Sequence, residues 1–176
     1  MKISSKDIDS LIKRPREPFL AYLLHGPDSG LIDERARAIA ETFSPDLEDP
    51  FSVSKVNGRE VQSDPAILAD ALNSMTLIGE VKVVFLNGTS SELGSVVKAN
   101  IEFLNTDCRL IITARDSTTK HSLVTLCEKH PQIASIACYP DEDSNLKQFV
   151  RCNLSEHGIN ISNELIDYIC EKLSPD

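Results

Sequence analysis

The chain has 176 residues, enough for one ordinary domain, or one domain and part of the next, with a real hydrophobic core. Apolar residues make up 41% and charged residues 26%, the N-terminus does not read as a signal peptide, and no apolar run approaches the roughly 18 residues of a membrane span, so a soluble, cytoplasmic protein with no membrane partner is expected. A formal net charge of −9 argues against an autonomous DNA-binding module, which would carry a basic face, and favours a protein partner.

Ser4 or Ser5 can cap a short first helix whose Ile8, Leu11 and Ile12 share a face, and Pro15 stops it. Lys13-Arg14-Pro15-Arg16 reads as a solvated helix end. Leu20 to Leu24 is a short unbroken apolar run, as in a strand buried on both faces of a sheet. Gly26, Pro27 and Gly30 then punctuate a turn, and a helix follows from Leu31 to Phe43. Asp28 or Ser29 can cap that helix, Asp33 and Glu34 suit its early turns, and Leu31, Ala36, Ile39 and Ala40 make an apolar stripe. This is the layout of a nucleotide-binding turn. A working phosphate-binding loop reads Gly-x-x-x-x-Gly-Lys-Ser/Thr, with the lysine on the β- and γ-phosphates and the hydroxyl on Mg²⁺. Here Leu31 and Ile32 follow Gly30, and an aliphatic pair can neither neutralise phosphate nor ligate a metal. The stretch Gly26, Pro27, Asp28, Ser29, Gly30 and Leu31 therefore has the architecture without the chemistry, and no nucleotide or other cofactor is expected on it.

Phe51 to Val56 alternates as a second strand, closed by Asn57-Gly58, and Asp64-Pro65 opens a helix with Ile67, Leu68, Ala71 and Leu72 on one face. Ser74-Met75-Thr76-Leu77-Ile78-Gly79-Glu80 then places large apolar residues in a connection, where polar ones belong. Met75, Leu77 and Ile78 are a compact group that either folds inward over the sheet edge or meets a partner. A strand Val81 to Leu86, a helix Ser91 to Leu104, a strand Leu110 to Thr113, a helix Lys120 to Lys129 and a strand Ile133 to Cys138 complete the alternation. Such alternation predicts an α/β fold, a five-stranded parallel sheet with helices on both faces. Tyr139-Pro140-Asp141-Glu142-Asp143 reads as a boundary. Beyond it Leu146, Phe149, Val150 and Leu154 form one helical stripe ending at Gly158, and Ser162 or Asn163 opens a second with Leu165, Ile166, Ile169 and Leu173. Two helices rarely bury a core alone, so the parent chain is expected to continue.

Five cysteines, Cys108, Cys127, Cys138, Cys152 and Cys170, are odd in number, widely spaced and mostly in apolar segments, which favours reduced thiols. Cys127 and His130 could share a helical face, but two ligands do not make a zinc site, and no metal site is expected. No catalytic triad is visible either, with His121 and His130 isolated.

A five-stranded α/β domain over 1–140, with a degenerate phosphate turn and a helical unit starting at 141–176, resembles the AAA+ architecture. Four blocks sharpen the likeness: Leu23-Leu24-His25-Gly26-Pro27-Asp28-Ser29-Gly30-Leu31 with Glu34-Arg35-Ala36, Met75-Thr76-Leu77-Ile78-Gly79, Ile112-Thr113-Ala114-Arg115-Asp116 and Cys138-Tyr139-Pro140-Asp141-Glu142. In this order they resemble the delta subunit of the bacterial DNA polymerase III clamp loader. The resemblance implies a protein of DNA replication that binds no ATP and is not itself an enzyme, though part of a DNA-directed DNA polymerase, a nucleotidyltransferase, as an assembly. It implies a hydrophobic wedge that opens the sliding clamp, the beta subunit, at the positions matching Met75, Thr76, Leu77 and Ile78. The family pattern has Phe where Ile78 stands, and the smaller side chain buries less area. The other implied partners are the gamma or tau and delta prime subunits, and primer-template DNA through the assembled complex. The rest of the helical lid and a collar domain would follow Asp176.

Two other classes compete with this one. An α/β enzyme would place its ligand at the sheet's carboxyl edge near His25, Asp28 and Thr113. An ATP-binding AAA+ relative would need cations facing the turn, and the nearest, Arg35 and Arg37, lie beyond the helix's first turn.

Overall fold

The computed structural model describes residues 1–14, 18–74, 81–115, 117–118, 120–139, 150–151, 154, 159 and 161–173. By internal contacts the chain divides into two compact units, Met1–Tyr139 and Pro140–Asp176. The strands of the first are β1 (Ala21–Gly26), β2 (Val53–Asn57), β3 (Lys82–Thr89), β4 (Cys108–Arg115) and β5 (Ile133–Ala137). Its helices are α1 (Ser5–Lys13), α2 (Ser29–Glu41), α3 (Gly58–Ser63), α4 (Ala66–Asn73), α5 (Ser90–Asn100) and α6 (Ser122–Lys129).

All five strands pair in parallel, in the order β2-β3-β4-β1-β5. β1 lies between β4 and β5 with every residue buried, which explains an apolar run without alternation. The pleat sends successive side chains to opposite faces and so divides the core in two. Leu23, Val84, Leu86, Leu110 and Ile112 pack with Leu68 and Leu72 of α4, Leu93 and Val97 of α5, and Leu123 and Cys127 of α6. On the other face Tyr22, Leu24, Val83, Ile111 and Ile136 meet Ile8 and Leu11 of α1 and Ile32, Ala36 and Ile39 of α2. Arg109, 9% exposed, is tolerated on that second face because its Nη1 donates to the carbonyls of Thr106 (2.8 Å) and Cys108 (2.9 Å), and its guanidinium lies 5.2 Å from the Phe43 ring centre.

Four departures from the expected pattern each have a local cause. Asn57-Gly58 is no plain turn: the Asn57 side chain accepts from Arg59 N at 2.9 Å and caps α3, because asparagine serves turns and helix starts alike. α2 starts at Ser29, so Asp33 falls past the first turn, where it pairs with Arg115. α5 stops at Asn100 and tightens into a 3₁₀ turn over Ile101–Phe103. β2 starts at Val53, leaving Phe51 in a turn and 61% exposed.

In the second unit α7 (Asn163–Leu173) buries Ile166 and Cys170 with Val150, flanked by Leu154, Ile161 and Ile169. Leu146, Phe149 and Gly158 of the expected first helix lie outside the described residues.

Candidate functional site

β1 ends at Gly26, whose φ of 146° is a conformation that L side chains rarely adopt. A Cβ there would stand 1.9 Å from the carbonyl oxygen of Cys138, so the position accepts glycine alone. Gly30 is different: a Cβ on it would meet only Asp28 Oδ1, at 3.5 Å. Pro27 and Asp28 make the turn between Gly26 and α2, whose first residue is Ser29. Asp28 caps α2, its Oδ1 accepting from Leu31 N at 2.9 Å while its carbonyl accepts from Ile32 N at 3.1 Å. A carboxylate thus already occupies the helix N-terminus, where a phosphate would have to sit. Leu31 packs partly buried against the core and Ile32 is wholly buried in it, so the two positions following Gly30 face the protein interior.

The nearby cations are also engaged. Arg35 Nη1 donates to the carbonyl of Ala137 (3.1 Å) and reaches the Cys138 thiol (3.7 Å). Arg37 pairs with Glu41 at 2.8 Å on the solvent side of α2. Nη2 of Arg115 donates to both carboxylate oxygens of Asp33, at 2.9 Å each. Burial pushes the Cys138 thiol pKa up, partly offset by the Arg35 charge.

A cleft of about 380 Å³ opens at the carboxyl ends of β2, β3 and β4, lined by Asn57, Arg59, Asn87, Glu92, Thr113 and Arg115 among others. The Thr113 hydroxyl donates to Asn87 Oδ1 at 2.7 Å, joining two strand ends. Glu92 caps α5 by accepting from Thr89 N (2.9 Å) and also takes Arg59 Nε (2.7 Å), interactions that hold its carboxyl down at about 2. The sequence gives Asn87 no special mark; its only signal is an amide closing an apolar strand. His25, Asp28 and Thr113 do not converge on one ligand site. Thr113 lines the cleft, Asp28 caps α2, and His25 is 1% exposed on β1, its imidazole pKa lowered by burial against a hydrogen bond to the Ser117 backbone. His121 and His130 are spent locally, each Nδ1 accepting a backbone amide, from Thr118 and Gln132.

Met75, Thr76, Leu77 and Ile78 lie outside the described residues, but both flanks of their connection are placed. Asn105 Nδ2 donates to Leu72 O at 3.1 Å, Ser74 N to Asp70 O at 2.9 Å, and the Lys82 ammonium to the Ser74 hydroxyl. Lys82 N in turn donates to Asp107 O at 2.9 Å. α4 and β3, between which the connection runs, are thus tied to each other and to the loop before β4. Cys108, Cys127, Cys138 and Cys170 are free and buried, and among the described residues no group of three or more metal-ligating side chains occurs. No helix among them is long and apolar enough to cross a membrane.

A parallel sheet in this order, with a nucleotide-type turn after β1, is an AAA+-like α/β fold. The family model for the DNA polymerase III delta subunit matches residues 22–136, and the chain belongs to that family. No curated protein matches it by sequence. Among solved structures it resembles the DNA clamp loader delta protein of Bacillus subtilis, with a TM-score of 0.67 at 16% identity over 93% of this chain and 50% of that one. A DNA polymerase III gamma-subunit-related protein of Thermotoga maritima follows at 0.55 and 12% identity, over 82% of this chain and 49% of that one. A Walker-type ATPase of Pyrococcus abyssi gives 0.51 and 11% identity, over 96% and 62%. At these identities the likeness is one of fold. The chain spans about half the length of the clamp loader protein it resembles, 50%.

Proposed function

We propose that the chain binds and opens the sliding clamp, the beta subunit, through Met75, Thr76, Leu77 and Ile78, with no nucleotide bound at Gly26 to Leu31 and no catalysis of its own. The observation that carries the reading is the apolar content of a connection whose two flanking elements are tied together, α4 through Ser74 to Lys82 of β3 and through Leu72 to Asn105. Flanks tied to each other hold the two ends of the connection together, and a contact made between held ends costs less to order. The absence of nucleotide is supported by the Asp28 carboxylate on the α2 N-terminus and by Ile32 in the core. In this reading 1–140 is the AAA+-like domain and 141–176 the start of a helical lid. Gamma or tau and delta prime subunits join through a longer protein, and primer-template DNA is met through the assembled complex.

The double variant Leu77→Ala/Ile78→Ala tests the contact. Burying each side chain in an apolar pocket contributes about 1.5 to 3 kcal/mol, so clamp affinity is expected to fall at least about a hundredfold while the melting temperature holds. A large drop in melting temperature would instead put the pair in the core, where each truncation costs about 2 to 5 kcal/mol. An unchanged melt with unchanged affinity would move the contact elsewhere.

A further inference from the structure

The turn between β1 and α2 holds something of its own. The β1–β5 ladder ends with His25 opposite Ala137, and Cys138 lies one residue past it. From there the turn supplies the restraints. Cys138 N donates to His25 O at 2.7 Å, and Asp28 N lies 3.5 Å from Cys138 O. Gly26, lacking a Cβ, lets the Cys138 carbonyl approach to a point no other residue would allow. Arg35 closes the corner from α2, reaching 102 residues along the chain to the Ala137 carbonyl and then to the Cys138 thiol. Its guanidinium is directed at a carbonyl at the end of a strand, in a part-buried, charge-assisted contact that is worth more than a pair open to solvent.

We propose that Arg35 is a positioning residue, and that with the Gly26 turn it forms a ligand-independent latch on residues 137–138, the exit of the last strand. In a turn that binds phosphate the first helix amides face the ligand; here those of Leu31 and Ile32 are taken by Asp28, and Arg35, further along α2, faces the protein's own carbonyl. The latch goes beyond the clamp reading and does not depend on it.

Thiol alkylation of the whole chain, mapped residue by residue by mass spectrometry, tests it with internal controls. Cys138 and Cys127 are 0% exposed and Cys108 is 3%, so each reacts only when its surroundings open. Arg35→Ala is expected to speed alkylation of Cys138 about tenfold, equivalent to about 1.4 kcal/mol of easier local opening, and to leave Cys108 and Cys127 unchanged. Removing the cation would by itself slow the thiol by disfavouring its thiolate, so a faster reaction reports opening. Arg35→Lys, which keeps a charged donor, is expected to fall between the two and serves if the alanine variant does not fold. Acceleration of all three thiols together would reduce Arg35 to a general contributor to stability, and no acceleration at Cys138 would show that the exit is held without it; either result overturns the latch.

Discussion

Two corners of the same sheet edge use similar residues in opposite ways. At the β1–β5 corner, Gly26 leaves room for the Cys138 carbonyl, Asp28 turns its carboxylate onto the α2 N-terminus, and Arg35 turns its guanidinium onto the Ala137 carbonyl. At the β2–β4 corner, Arg59 and Arg115 keep side-chain exposures of 80% and 57% around an open cleft, each paired with one carboxylate. A glycine-punctuated turn that looks like a ligand site can thus be engaged by the protein's own groups, while a cleft can form where no motif announces it. The deciding quantity is where the donors and acceptors end up, which a spacing of residue types does not contain.

Glycine substitutions break the comparison most strongly. Gly26→Ala imposes a strained φ and a clash with a backbone oxygen, so it is expected to cost about 4 kcal/mol or more, read by chemical denaturation. Gly30→Ala puts a methyl into ordinary contact within a helix and is expected to lie between no change and about 1 kcal/mol of added stability. Equal losses at the two positions would mean that the turn has some other geometry. The charged residues sharpen the same contrast on a smaller scale. Asp28→Ala removes a helix cap at the closed corner and is expected to cost about 1 kcal/mol, whereas Arg115→Ala removes an exposed ion pair at the open corner and is expected to cost about 0.5 kcal/mol or less. Repeating both melts in high salt checks the cause, since screening acts on the exposed pair.

The sheet was legible because buried parallel strands are continuous apolar runs and helices carry stripes of period 3.6, two local signals that the fold does not override here. Misreadings cluster where one residue type serves two structures, as with Asn57 at the start of α3 and the polar ends of β3 and β4, whose Asn87 and Arg115 remain in the ladder past the apolar pattern. Leu31 and Ile32 carry the expectation of a degenerate turn, and the structure puts Ile32 in the core with Leu31 packed against it. The contact across the corner was not legible: Arg35 meets Ala137 across the whole unit, and nothing local in either segment marks the pairing. The cleft was hidden for a related reason, being assembled from the ends of three strands far apart in sequence.

In the proposed reading the Asp28 carboxylate and carbonyl, by taking the Leu31 and Ile32 amides, keep a phosphate off the turn after β1. Amide chemical shifts of Gly30, Leu31 and Ile32, followed while Mg²⁺ and ATP are added to millimolar concentration, test it most directly. With Asp28 already holding the α2 N-terminus, these three resonances are expected to stay in place. Saturable shifts at all three, with a micromolar midpoint, would contradict the account and return the turn to nucleotide binding.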